Sequence, residues 1–176
     1  SINRIEKWVL SKDIAGISAF RTKLVYETEN TLNDFGVGHE YSKAENIVRN
    51  RNLKSTLLKL GYGVTKIAGS YLEQGGYESQ EESYIVVNLN DDPKFKENIF
   101  KLSEYFNQDS FLFKEKDDEN AYLIGTNNSD FPGYGNEISQ GKFNKNVSAE
   151  YMSRINNQGF AFSNNEDNPL STDKPF

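Results

Sequence analysis

Two segments with marked helix starts divide this sequence, and they limit its fold more than any other feature. Ser42-Lys43-Ala44-Glu45 is a capping-box signature: a serine N-cap, and a glutamate three residues on that reaches back to it. The helix it opens runs to Leu60 and stops at Gly61, a residue suited to the left-handed turn that commonly ends a helix. The second helix starts at Asp92-Pro93, where proline at the first helical position gives up no hydrogen bond. It continues to about Asn107, with Phe95, Ile99, Leu102, Tyr105 and Phe106 on one stripe.

Strand-like runs flank both helices. Ile2, Ile5, Trp8 and Val9 are spaced as in a short helix or an arm, and GISAFRTKLVY (16–26) reads as the first strand. A polar, glycine-bearing loop follows over 27–41, long for a compact domain and of a length that is often functional. YGVTKIAGSYLE (62–73) and ESYIVVNL (82–89) read as two strands joined through a Gly-Gly loop. DSFLFKE (109–115) and AYLIGT (121–126) form a hairpin around KDDEN. The order β-α-β-β-α-β-β is the split β-α-β, or ferredoxin-like, pattern with an added strand. The expected class is α+β, an antiparallel sheet carrying both helices on one face. Beyond Thr126 periodicity fades. We expect a single domain over 1–162, its part from 127 to 162 an irregular extension with one short helix near SAEYMSRI. Residues 163–176 are expected to form a disordered tail.

Composition then narrows the function classes. The 176 residues suffice for one domain with its own core. Twenty basic and 26 acidic residues give a net charge of −6 without a Lys/Arg cluster, so nucleic acid is not an expected partner. A cationic small molecule suits such a chain better. There is no cysteine and one histidine, His39, which leaves no thiolate nucleophile, disulfide or His-rich metal cage. We expect no metal and no cofactor. No apolar run approaches the ~20 residues that cross a bilayer, and no signal peptide precedes Trp8, so the expectation is a cytosolic protein without membrane contact. GYGVTKIAG lacks the third glycine of a dinucleotide fingerprint, GNEISQGKF has the wrong spacing for a phosphate loop, and His39 is a poor triad member.

Three groups carry possible chemistry. On the first helix Asn46, Asn50, Leu53 and Leu57 share a stripe that begins polar and ends apolar; its amides line a pocket edge, or else cap loops or meet water. Arg49 and Arg51 face solvent by default. Tyr71 and Glu73 end one strand while Glu81, Glu82 and Ser83 open the next. Paired strands would make these a cage for a cation, or an ordinary hairpin end with solvated glutamates. Gln108-Asp109-Ser110 lies between the second helix and its strand, a composition that any such junction favours.

In order along the chain, Ile17-Ser18-Ala19-Phe20-Arg21, Asn46, Arg49, Ser55-Thr56-Leu57, Gly69-Ser70-Tyr71-Leu72-Glu73, Glu81-Glu82, Gln108-Asp109 and Ala121 to Ile124 resemble one family. It is the S-adenosylmethionine (SAM) lyases of bacteriophages, formerly called SAM hydrolases. The resemblance covers about residues 14–126, with fainter echoes at Gly141-Lys142-Phe143 and Gly159-Phe160, and the step from Tyr71 to Glu82 matches as well. The 27–41 loop and the longer C-terminal segment depart from the pattern without removing a motif residue.

The resemblance implies cleavage of SAM to 5′-methylthioadenosine and homoserine lactone without metal or cofactor. It further implies a homotrimer with sites between subunits, acting in the cytoplasm of the infected bacterial host to deplete methyl donor and blunt restriction. It assigns Glu82 to the substrate ammonium, with Glu81 as the alternative because the doubled glutamate shifts the match by one. Tyr71 would meet the methionyl part near the sulfonium. Gln108 would contact substrate or orient Glu82, and Arg21 would balance the carboxylate or hold the trimer. Asn46, Ser70 and Phe20 complete the substrate-binding candidates. Two rivals differ in class: a hydrolase giving homoserine through Glu82 as general base, and a non-enzymatic module that sequesters SAM or inhibits a host enzyme.

Overall fold

The computed structural model describes residues 8, 10–21, 39–72 and 78–142, with the side chains of 68–81 outside the description. The elements are β1 (Ile14–Ile17), α1 (Lys43–Lys59), β2 (Gly63–Leu72), β3 (Glu78–Val87), α2 (Phe95–Tyr105), β4 (Ser110–Lys114), β5 (Asn120–Gly125) and β6 (Glu137–Lys142). All six strands form one sheet in the order β2-β3-β1-β4-β5-β6, and every neighbouring pair is antiparallel. β3 is thus inserted between β1 and β2, which α1 connects, and β1 between β3 and β4, which α2 connects. That is the split β-α-β arrangement the element order implied.

Strand alternation sorts the core into two layers. Ala15, Ile17, Tyr84, Val86, Phe111, Phe113 and Ile124 face the helices, where Leu53 and Leu57 of α1 and Phe95 and Ile99 of α2 meet them. Burial of each Val, Leu, Ile or Phe side chain among them contributes about 1.5–3 kcal/mol. Ile14, Ile85, Val87, Leu112, Ala121 and Leu123 form a second buried cluster on the other face, with Trp8 and Ile67 against it. Both helices therefore lie on one face, as expected. Among the described residues, no helix is long and apolar enough to cross a membrane.

The capping box is complete: the Glu45 N–H donates to Ser42 Oγ at 3.1 Å, and the Ser42 N–H donates to Glu45 Oε1 at 2.8 Å. Gly61 has φ +86°, the left-handed stop expected there. At α2 the regular helix begins at Phe95, two residues later than Asp92-Pro93 implied. Asp92 instead organises the preceding turn, its Oδ1 accepting from the Lys94 N–H at 2.9 Å and its Oδ2 from the Tyr62 hydroxyl at 2.8 Å. At the far end a Schellman turn closes the helix. Asn107 has φ +55°, its N–H reaches the Glu104 carbonyl at 3.0 Å, and the Gln108 N–H reaches the Ser103 carbonyl at 2.9 Å.

Three strand expectations need correction. β3 runs from Glu78 to Val87 and not over 82–89, so Glu81 and Glu82 lie within the strand and do not open it. The first strand does not span 16–26: β1 ends at Ile17, beyond it the Ala19 and Arg21 N–H groups donate to Asn50 and Asn46 of α1, and 22–26 lie outside the described residues. Also, the stretch after Thr126 is not irregular throughout. Glu137–Lys142 form β6 on the sheet edge, which gave little signal because the strand has one large apolar residue, Ile138, and the β5–β6 ladder carries a bulge. The loop before β6 closes tightly on Gly125, where a Cβ would sit 1.8 Å from the Gly133 carbonyl oxygen. The expected helix near 148–155 and tail from 163 lie outside the described residues.

Candidate active site

Polar groups that a core would normally exclude converge where α1, the C-terminal end of α2 and the departing end of β1 meet. Asn46 and Asn50 are one helical turn apart and both buried. Asn46 accepts the Arg21 N–H at 2.9 Å and donates to the Arg21 carbonyl at 3.0 Å. Asn50 accepts the Ala19 N–H at 3.0 Å and donates to the Glu82 carbonyl at 3.2 Å. The Ser18 hydroxyl donates to that same carbonyl at 2.9 Å and accepts the Phe20 N–H at 3.0 Å. Buried main-chain groups that lose a ladder partner need such replacements.

Two arginines tie this segment to α2. Arg49 Nε donates to the Ala19 carbonyl at 3.2 Å, Nη2 donates to the Phe106 carbonyl, and the guanidinium stacks over Tyr41, 4.0 Å from the ring centroid. Arg21 Nη1 donates to the Asn107 carbonyl at 2.6 Å and to Asp109 Oδ1 at 3.0 Å. Both cations thus sit at the carbonyl-rich, partly negative end of α2. The expectation that Arg49 faces solvent is corrected: at 100° per residue it lies about 60° from Asn46 and 40° from Leu53, within the inward stripe. Arg51 is exposed as expected.

Of the sequence-derived candidates, Glu82 is a half-exposed carboxylate on β3, 40 % accessible, with Oε1 3.3 Å from Lys66 Nζ. Two residues on, Tyr84 is buried, and its hydroxyl donates to the Asn50 carbonyl at 3.3 Å. Burial pushes the Tyr84 phenol up to about 12, and the Glu82 charge adds to the shift. The β2–β3 register sets Glu82 opposite Ala68, Glu81 opposite Gly69, Ser70 opposite Gln80 and Tyr71 opposite Ser79. Tyr71 and the acidic pair therefore share one hairpin, with Tyr71 about 10 Å along it from Glu82. Glu73 lies outside the described residues.

Gln108 is buried beside the Schellman turn. Its Nε2 donates to the Phe106 carbonyl at 3.1 Å, and its carbonyl accepts from Thr126 Oγ1 at 2.6 Å. It reaches Glu82 through a relay of Phe106, Arg49, Ala19 and Asn50. Phe20 is buried next to Arg21. The structure thus links Arg21, Asn46, Gln108 and the Glu82 backbone in one network, and sets Ser70, Tyr71 and Glu81 on the adjoining hairpin. Asn50 lies inward on the polar half of the first helix's stripe, as its spacing implies. Ser18 and Arg49 are functional candidates that periodicity does not mark; for Arg49 the signal is its place next to that stripe. His39 lies 3.4 Å from the Glu45 carboxylate, at the start of α1. Among the described residues, no group of three or more His, Asp or Glu side chains is arranged to hold a metal ion.

The profile of the S-adenosylmethionine lyase family matches residues 37–168. The chain belongs to that family. This supports an enzyme that degrades SAM. Among solved structures, a phage SAM lyase in complex with S-methyl-5′-thioadenosine is similar at 19% identity and a TM-score of 0.29. The match covers 65% of this chain and 90% of that one. No curated protein matches the sequence.

Proposed function

We propose that this protein cleaves SAM to 5′-methylthioadenosine and L-homoserine lactone by an intramolecular displacement. The substrate carboxylate oxygen forms a bond to Cγ, the Cγ–sulfonium bond breaks, and its electron pair leaves on sulfur as a neutral thioether. No proton, water or metal enters the balance. What remains for the protein is to fold the methionyl arm so that nucleophile and leaving group align, an effect of orientation.

The residues suit that task. Glu82 holds the substrate ammonium. Its present partner Lys66 is itself a primary ammonium, and the pair is exposed enough to exchange at little cost. Tyr71, on the same hairpin, meets the arm near the sulfonium. Gln108 orients the site, while Arg21 and Asn46 set the 18–21 segment that carries Phe20. Ser70 contributes beside Tyr71, and Glu81 is the alternative carboxylate. The net charge of −6 favours approach of a cationic substrate. The protein acts as a homotrimer with sites between subunits, in the cytoplasm of an infected bacterium, where loss of methyl donor blunts restriction.

The family match over residues 37–168 carries this reading. Separation of the products tests it. Lactone appearing first supports displacement, homoserine without a lactone phase supports attack by water with Glu82 as base, and unchanged SAM supports sequestration.

A further inference from the structure

Beside Glu82 the sheet is split by a helix side chain. β1 pairs with β3 as far as Ile17 opposite Tyr84, and the same register continued would set Ala19 opposite Glu82. The Asn50 carboxamide stands between them instead, accepting from Ala19 and donating to the Glu82 carbonyl. It is completely buried, and its own main-chain carbonyl is held by the Tyr84 hydroxyl. One turn earlier Asn46 closes a reciprocal pair with Arg21. The geometry matches because four helical residues rise about 6 Å, close to the roughly 6.7 Å spanned by two strand residues. Asn46 and Asn50 therefore act toward Ala19 and Arg21 as the edge of a strand, and Asn50 passes that edge on to β3.

We propose that Asn50 is a positioning residue for Glu82, fixing the peptide plane that aims the Glu82 carboxylate at the substrate. This inference rests on the SAM cleavage proposed above. With β1 gone from the ladder, the Glu82 carbonyl is held from that side by two side-chain donors, Asn50 Nδ2 and Ser18 Oγ. The carbonyl and the Cβ of one residue share a Cα, so a peptide plane free to tilt swings the carboxylate with it. Holding that plane costs the carboxylate no charge and leaves its oxygens to the ligand.

The test is Asn50→Asp, assayed with SAM across pH and corrected at each pH for the folded fraction read by thermal unfolding. A neutral carboxyl in that position keeps a donor for the Glu82 carbonyl and an acceptor for Ala19. As pH rises and the introduced carboxyl ionises, the donor is lost and a negative charge faces the carbonyl. The expected result is a kcat that falls about tenfold or more, with KM changed less, along an alkaline limb the parent lacks. Should the variant fail to fold, Ser18→Ala removes the companion donor and is expected to lower kcat by about three- to tenfold. A folded Asn50→Asp with parental kcat at every pH, or a loss confined to stability or KM, overturns the proposal, as does a folded Ser18→Ala at parental kcat. A parent protein that leaves SAM intact overturns the reaction itself, which is read first.

Discussion

At Glu82 a charge, rather than a shape, is the feature under test. Glu82→Gln keeps the hydrogen-bonding outline and removes the negative charge. If that carboxylate holds the substrate ammonium, losing a charge-assisted contact costs roughly 1.5–3 kcal/mol. The expected fall in kcat is about one to two decades, because the contact is felt mainly in the bent, reactive conformer. Glu81→Gln is the control and is expected to be milder, since successive strand residues face opposite sides. Steady-state kinetics on both folded variants checks this, and the reverse order would move the assignment by one residue. At this scale the sequence revealed residue types but not partners. The acidic pair and the amides of α1 stood out. What Asn50 and Arg49 touch did not, because side-chain bonds to backbone 30 residues away leave no periodic trace.

Among the elements, α1 was the most legible, and its ends explain why. The capping box and Gly61 are local signals, each satisfied within four residues. Ser42→Ala removes one half of the box and is expected to destabilise the protein by about 1 kcal/mol, seen as a lower denaturation midpoint with an unchanged slope. An unchanged midpoint would mean the 39–42 entry holds the helix without the cap. The Asp92 start was displaced to Phe95 because that carboxylate serves both the turn and Tyr62. β6 is illegible in the sequence for the opposite reason: an edge strand with one large apolar residue is set by its neighbour's register, not by its own pattern. β1 ends earlier than its β-branched and aromatic content predicts, because the amides of α1 occupy the position of the next strand residue.

For the molecule as a whole, the order of elements carried the topology, since split β-α-β units leave few alternative strand orders. Two buried phenols give the folded state an alkaline limit. Burial pushes both Tyr62 and Tyr84 from about 10 up to about 12. Their neutral forms are favoured in the fold, so this stability is complete below pH 10 and is lost as pH rises from 10 to 12, where the native state binds more protons than the unfolded chain. The loss should reach roughly 2–3 kcal/mol per phenol, and denaturant melts across that window check it. Tyr62→Phe is expected to flatten part of the slope; a slope identical to the parent's would remove Tyr62 from the account. The proposed assembly is tested by light scattering at micromolar concentration. A trimer of about 60 kDa, three times 20.1 kDa, is expected, and a stable monomer would contradict it.

The proposed cleavage of SAM is tested by one incubation. Purified protein is mixed with SAM in the presence of a chelator, and the adenosyl product is followed by chromatography. The expected result is that 5′-methylthioadenosine accumulates in step with the loss of SAM, with homoserine lactone as the initial partner product. SAM that survives at the rate of a protein-free control would contradict it.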